Sequence, residues 1–228
     1  MQSNPNDVWI VIPAYNEGQV LGDVVSLVRQ SFSNVVVVDD ASADNCREIA
    51  EAQGAKTIRH PFNLGQGAAL QTGIKFALSK GAKFIATFDA DGQHDIADVE
   101  NMWAHLRESG ADIALGSRFL GDTVGMKSSR KFLLMAARAF TFLTVGLYLS
   151  DCHNGLRLLS AKAAEKIKIR QNRMAHASEI IENVRRENLS FIEVPVTITY
   201  TDYSREKGQT VGDIFVILKE LLAGKLTT

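Results

Sequence analysis

Two carboxylates, Asp89 and Asp91, stand two positions apart in Asp89-Ala90-Asp91-Gly92-Gln93-His94, directly after the apolar run Phe84 to Phe88. Oxygen ligands at that spacing suit a hard divalent cation, Mg²⁺ or Mn²⁺, which is commonly held by one or two carboxylates together with substrate phosphates. The run before them reads as a buried strand, and in open α/β sheets ligands gather beyond the carboxyl ends of strands. Taken alone, the motif fits a solvated acidic turn equally well.

The same arrangement recurs along the chain. Val8-Trp9-Ile10-Val11-Ile12 runs into Pro13-Ala14-Tyr15-Asn16-Glu17, and Val35 to Val38 run into Asp39-Asp40, so three apolar runs each end in residues able to hold a ligand. Continuous β-branched runs are expected of parallel strands covered on both faces, and the segments between them carry helical spacing. The spacing predicts strands at 8–12, 35–38, 55–59, 84–88 and 112–116, with helices at about 18–31, 44–53, 65–80 and 96–109. Four β-α units in a row predict an α/β fold: a Rossmann-like, mostly parallel sheet with right-handed crossovers and flanking helices. Beyond Gly116 the alternation stops. The pattern there predicts helices at about 129–149, 160–168 and 175–188, a strand at 191–200, a polar loop at 201–210 and a last helix at about 211–224.

Composition narrows the class. The 228 residues are 46% hydrophobic and 22% charged, enough to bury a full core in one domain, and a net charge of −1 gives no polycationic surface for nucleic acid. Cys46 and Cys152 lie far apart without zinc or CxxC spacing, as expected of two reduced thiols in a cytosolic protein. The polar stretch Met1 to Asp7 lacks the basic and apolar regions of a signal peptide. Asn63-Leu64-Gly65-Gln66-Gly67 offers a GxG turn before a helix, but it lacks the third glycine of a dinucleotide fingerprint and follows the third strand rather than the first. A GxxxxGK[ST] phosphate loop is absent too, so neither a dehydrogenase nor a P-loop enzyme is favoured. A HAD-type phosphatase expects a nucleophilic aspartate after the first strand, where this chain has Pro13-Ala14-Tyr15.

In combination, Pro13-Ala14-Tyr15-Asn16-Glu17, Asp39-Asp40-Ala41-Ser42-Ala43-Asp44 and Asp89-Ala90-Asp91 resemble the motifs of inverting family 2 glycosyltransferases with the GT-A fold. Within that family the chain is similar to the branch of dolichyl-phosphate mannose synthase and the bacterial polyprenyl-phosphate glycosyltransferases. Further matches are Gly116-Ser117-Arg118-Phe119, Asp151-Cys152-His153-Asn154-Gly155-Leu156-Arg157 and Arg205-Glu206-Lys207-Gly208-Gln209-Thr210, so the resemblance covers about residues 8 to 220. It implies a single GT-A domain with a nucleotide-sugar half at about 1–118 and an acceptor half at about 119–228.

The resemblance also implies roles. Pro13, Tyr15, Glu17, Val38 and Asp40 would hold the nucleotide, with Tyr15 stacking on a flat base and Asp40 accepting from a base N–H. Asp89 and Asp91, with Ala90 and Gln93 beside them, would take the donor diphosphate through Mg²⁺ or Mn²⁺. Arg118 and Arg205 offer guanidinium forks to a departing nucleoside diphosphate, whose growing charge needs stabilisation. Asp151 joins Arg118 as a catalytic candidate. It acts as a base toward a hydroxyl acceptor, or only orients Arg157 or an acceptor-side hydroxyl if the nucleophile is an already ionised phosphate. Glu179 is a second candidate for that work. His94, His153 and His176 lack metal-ligand spacing and read as structural or acceptor-lining residues. Two departures stand out: Gln66 where many members carry a basic residue, and Thr210-Val211 where many carry Ser-Lys. Lys207, one residue before Gly208, is the candidate to replace the missing cation, in a different register.

The acceptor is read from residues 128–149. Arg130 and Lys131 open a segment whose body, Phe132 to Met135 and Phe140 to Leu149, is apolar, while Arg138 interrupts it. A membrane span needs about 20 predominantly apolar residues, so a helix lying at an interface or in the core fits better. The basic start would meet lipid headgroups or an acceptor phosphate and the apolar body a polyprenyl tail; burial in the core or a homodimer interface is the alternative. The apolar stretch Ile214 to Leu222 raises the same choice. The expected activity is metal-dependent, inverting transfer of a sugar from a UDP- or GDP-sugar to a polyprenyl phosphate at the cytoplasmic face of a membrane, alone or beside a membrane-protein partner. Transfer to a saccharide hydroxyl, as in polysaccharide or O-antigen assembly, and a non-catalytic nucleotide-sugar-binding role are the other readings.

Overall fold

The computed structural model describes residues 4–172 and 175–207. A 3-10 turn at Pro5–Asp7 leads into β1 (Val8–Ala14), α1 (Leu21–Ser31), β2 (Asn34–Asp39), α2 (Cys46–Ala52), β3 (Lys56–Arg59), α3 (Gln66–Ser79), β4 (Phe84–Thr87), α4 (Ile96–Ser109) and β5 (Ile113–Val124). Then come α5 (Ser128–Val145), β6 (Arg157–Ser160), α6 (Ala161–Lys166), α7 (His176–Arg186), β7 (Phe191–Thr199) and α8 (Asp202–Lys207).

One seven-stranded sheet runs in the order β3-β2-β1-β4-β6-β5-β7. All pairings are parallel except those of β6, which is antiparallel to both β4 and β5. The strand alternation sorts the core into two layers. Val8, Ile10 and Ile12 face the side covered by α1 and α4, and Trp9 and Val11 face the side covered by α3, α6 and α7. Every residue of β1 is buried, as expected of a central strand covered on both faces.

Strand β6 was not legible in the pattern. Its four residues, Arg-Leu-Leu-Ser, are short, carry a charge and have no β-branched side chain, yet they separate the predicted fourth and fifth strands. Strand β5 is also longer than the predicted 112–116. It carries Gly116 to Phe119 within it and resumes its pairing with β7 at Asp122 after an irregularity beyond Ser117. The predicted helix 129–149 ends at Val145, where Gly146 takes the left-handed conformation at φ 74° and donates to Phe142 O. Part of the predicted polar loop 201–210 is the short helix α8, and the predicted last helix at 211–224 lies outside the described residues.

Candidate active site

A cavity of about 620 Å³ opens along the carboxyl ends of β1, β2 and β4 and runs under α5. Its rim is laced by side chains. Asn16, at φ 55°, donates its N–H to Ser42 Oγ (3.0 Å) and accepts from Ala43 N at Oδ1 (2.8 Å), while Asp44 Oδ2 accepts from Gly18 N (2.9 Å). The loops after β1 and β2 are thereby tied to each other. Pro13, Tyr15, Glu17 and Asp40 all line the cavity, and Tyr15 leaves an exposed ring (47%) available for stacking.

Asp40 is buried and heavily used within the protein. Oδ1 accepts from Leu64 N (2.9 Å) and faces His60 Nδ1 (2.7 Å), and Oδ2 accepts from Gly65 N (2.6 Å). Gly65, at φ 100°, needs a conformation that side chains rarely adopt to make that contact. Asp40 thus fixes the turn before α3 as well as facing the cavity. Glu17 Oε2 accepts from Tyr203 OH (2.6 Å), which brings α8 against the first loop. The Val38 side chain lies wholly buried in the layer under α3, two residues short of Asp40, and does not line the cavity.

Asp89 and Asp91 are brought together, with Ala90 and Gln93, on the cavity wall. Asp89 Oδ1 accepts from Gln66 Nε2 (3.0 Å) and Oδ2 pairs with His94 Nε2 (3.0 Å), while Asp91 Oδ1 accepts from Gln93 N (3.1 Å). Burial alone would raise the Asp89 carboxyl, but the His94 hydrogen bond and the charges of His94, Arg157 and His176 hold it below the usual carboxylate range. Asp91 is pushed up to about 6 by burial and by Asp89. Two like charges opposing each other in this way favour a shared cation. Among the described residues no group of three His, Cys, Asp or Glu is placed to hold a metal ion, so the two carboxylates would hold an oxygen-loving ion together with substrate oxygens and water. Gln66 thus touches the acidic motif, although it carries no charge.

Arg118 sits beneath the cavity wall. Nε donates to Asp151 Oδ2 (2.6 Å), Nη1 to Tyr200 OH (2.8 Å) and Nη2 to His153 O (3.2 Å). Asp151 is 4% exposed and stands behind Arg118, outside the residues that line the cavity. Its geometry is that of a group orienting a guanidinium, and the one it orients is Arg118 rather than Arg157. Glu179, the second candidate, spends its carboxylate on the N–H groups of Arg170 and Gln171. His153 lines the cavity with its imidazole pushed down to about 4 by burial. The backbone of Arg205 lies in α8, and its side chain is outside the described residues.

Helix α5 forms the far wall. Arg130, Leu133, Leu134, Ala137 and Phe140 face the cavity, and Arg130 lies over the Tyr200 ring at 5.2 Å. Lys131 is exposed and does not line the cavity. The opposite face of α5 leaves Phe132, Met135, Phe142 and Leu143 in solvent, and Tyr148 follows just beyond it. None of the described helices is long and apolar enough to cross a membrane.

The sequence fits the profile described as Glycosyl transferase family 2 across residues 9–168. The chain belongs to glycosyltransferase family 2. It is 37% identical to an uncharacterized protein of Methanocaldococcus jannaschii, over 98% of this chain and 94% of the other. A UDP-N-acetylglucosamine–dolichyl-phosphate N-acetylglucosaminyltransferase of Methanococcus voltae is 30% identical over 96% of each chain, and an undecaprenyl-phosphate mannosyltransferase of Micrococcus luteus is 27% identical over 92% of this chain and 91% of its own. The fold matches glucosyl-3-phosphoglycerate synthase of Mycobacterium tuberculosis, solved with Mn²⁺, UDP-glucose and phosphoglyceric acid, at a TM-score of 0.75 and 15% identity over 96% of this chain and 78% of that one. This family 2 glycosyltransferase therefore has the GT-A fold.

Four residues that shape the site have no nucleotide, metal or acceptor contact in the motif reading: Gln66, Gly155, Arg157 and Tyr200. A Cβ at Gly155 would overlap the Asp89 carboxylate, Arg157 and Gln66 line the cavity, and Tyr200 joins Arg118 to Arg130. Gly155 and Arg157 belong to the Asp151 to Arg157 motif, but their neighbours Asp89 and Thr87 come from β4 and the loop after it.

Proposed function

We propose that this enzyme transfers a sugar, with inversion, from a UDP- or GDP-sugar to a polyprenyl phosphate at a membrane surface. The observation that carries the reading is the two-sided α5 helix. One face lines the cavity that holds Asp89 and Asp91, and the other exposes Phe132 (76%) and Leu143 (81%) beside Lys131. Such a helix settles at a headgroup boundary while its inner face guides an apolar tail to the reacting end. The relatives named for dolichyl- and undecaprenyl-phosphate transfer support the same acceptor class.

In this reading Tyr15 stacks on the base, Glu17 and Asp40 fix the nucleoside, and Asp89 with Asp91 would hold Mg²⁺ or Mn²⁺. The bound ion would neutralise charge on the donor diphosphate. The acceptor phosphate oxygen forms a bond to the anomeric carbon as the bond to the diphosphate oxygen breaks, its electron pair leaving with the nucleoside diphosphate. A phosphate ionised at neutral pH needs no proton removed, so Asp151 is left to hold Arg118 in place. A saccharide hydroxyl would need a base, and Asp151, buried behind Arg118, is poorly placed to serve.

The test is transfer from UDP- and GDP-sugars, with Mn²⁺ or Mg²⁺, to a short-chain polyprenyl phosphate and to free saccharides in parallel. Product on the lipid phosphate alone supports the reading. Product on saccharides alone overturns it.

A further inference from the structure

Arg157 opens β6, hydrogen-bonded between Thr87 of β4 and Leu115 of β5, and is 3% exposed. Among the described residues its guanidinium joins no hydrogen bond or ion pair, and Nη1 is buried without a partner. Asp89 is the strongest opposite charge acting on it, yet both Asp89 oxygens are taken by Gln66 and His94. Asp151 is turned to Arg118. A buried cation left this way is costly, and an arriving anion relieves it.

The surroundings fit an oxyanion. Arg157 lines the cavity together with His176, Ala177 and Ser178, the first turn of the eleven-residue helix α7, whose start has no side-chain cap. First-turn amides lack intrahelical acceptors, and the helix dipole favours negative charge there. The sheet order decides which anion. Across β2-β1-β4-β6 the cavity meets Asp40, then Tyr15 and Glu17, then Asp89 and Asp91, and only then Arg157, so Arg157 lies beyond the diphosphate position on the side away from the base. The apolar α5 face, Leu133, Leu134, Ala137 and Phe140, lines the same cavity.

We propose that Arg157 and the first turn of α7 seat the phosphate of the acceptor, with α5 covering the chain attached to it. This assignment rests on the phosphate-acceptor reading above and adds the residue that selects for it.

The experiment uses the full-length protein. Arg157→Gln should raise KM for a short polyprenyl phosphate by about a hundredfold, the usual scale for losing charge-assisted hydrogen bonds, with UDP affinity in Mn²⁺ falling far less, by about fivefold at most, because Gln66 and His94 still hold Asp89. Arg157→Lys, which keeps the charge and loses the fork, should fall between. A water-soluble phosphate monoester assayed alongside separates a lipid-borne from a free phosphate acceptor, and both should depend on Arg157. Equal losses of donor and acceptor affinity, or an unchanged acceptor KM, would overturn the assignment. Crystals of the wild type soaked with UDP, Mn²⁺ and tungstate give a readout independent of any variant. Tungstate bound to the Arg157 guanidinium supports the seat even if no phosphate acceptor is turned over, an outcome that would sink only the functional reading. Tungstate bound elsewhere in the cavity and absent from Arg157 overturns the seat itself.

Discussion

Gly155 lies against Asp89 so closely that a methyl group on its α-carbon would overlap Asp89 Oδ2. The contact is fixed from both sides, because Thr87 Oγ1, two residues before Asp89 on its strand, donates to Gly155 O (2.6 Å). The loop before β6 therefore sets where the first acidic residue can stand.

Gly155→Ala should push Asp89 off its bonds to Gln66 and His94. Overpacking of this kind costs about 1–3 kcal/mol, and here the neighbour that must yield is the carboxylate itself. The expected result is a fall of at least about tenfold in Mn²⁺-dependent UDP affinity by calorimetric titration. Unchanged affinity would separate Asp89 from nucleotide binding.

Asp91→Asn should have two opposite effects. It keeps the volume and removes the charge, so metal-dependent nucleotide binding should largely vanish. The metal-free protein, however, should become more stable. An acid raised from its ordinary value of 3.8 to about 6 binds its proton more tightly when folded, so folding stability falls as pH climbs through that window and the loss is complete above it. At pH 8 the variant escapes a penalty of up to about 3 kcal/mol, or several degrees in Tm. Equal Tm values for wild type and variant at pH 8 without metal would contradict the raised value.

How far the sequence reaches is seen by comparing these residues with Arg157 and Asp151. The β-α alternation and the strand-end motifs are local, with each apolar run and the polar residues after it contiguous, so β1, β2, β4 and the acidic pair could be read directly. Strand β6 could not, since four residues without periodicity become a strand only because β4 and β5 leave a gap between them. Arg157 took its meaning from that strand. Asp151 likewise was visible as a carboxylate, but its engagement depends on Arg118, 33 positions away, which the sheet brings to within 2.6 Å.

Asp151→Asn tests the acceptor chemistry. Asparagine keeps an oxygen for Arg118 Nε but withdraws the counter-charge, so stability should fall, by at most the roughly 3–5 kcal/mol of a broken buried pair. Turnover with a polyprenyl phosphate should stay within about tenfold of wild type, with a flat pH profile above the second phosphate ionisation near about 6. A drop of several orders of magnitude with normal donor affinity would make Asp151 a true base and point to a hydroxyl acceptor.

The exposed face of α5 can be tested apart from catalysis, because its outward residues do not line the cavity. Phe132 and Leu143 are largely exposed, and each fully buried side chain of this size contributes about 1.5–3 kcal/mol. Lys131, exposed on the same helix, adds about 1 kcal/mol where the lipid is anionic. Replacing Phe132 and Leu143 together by Ser should lower binding to anionic vesicles by about a hundredfold or more, at any salt concentration. Lys131→Gln should lower it only about fivefold, and raised salt should erase that difference, since screening acts on the charge and not on the apolar area. UDP affinity should be untouched in both variants. If the wild type does not sediment with anionic vesicles at low salt, the exposed face of α5 has another partner, and the acceptor must reach the cavity from solution.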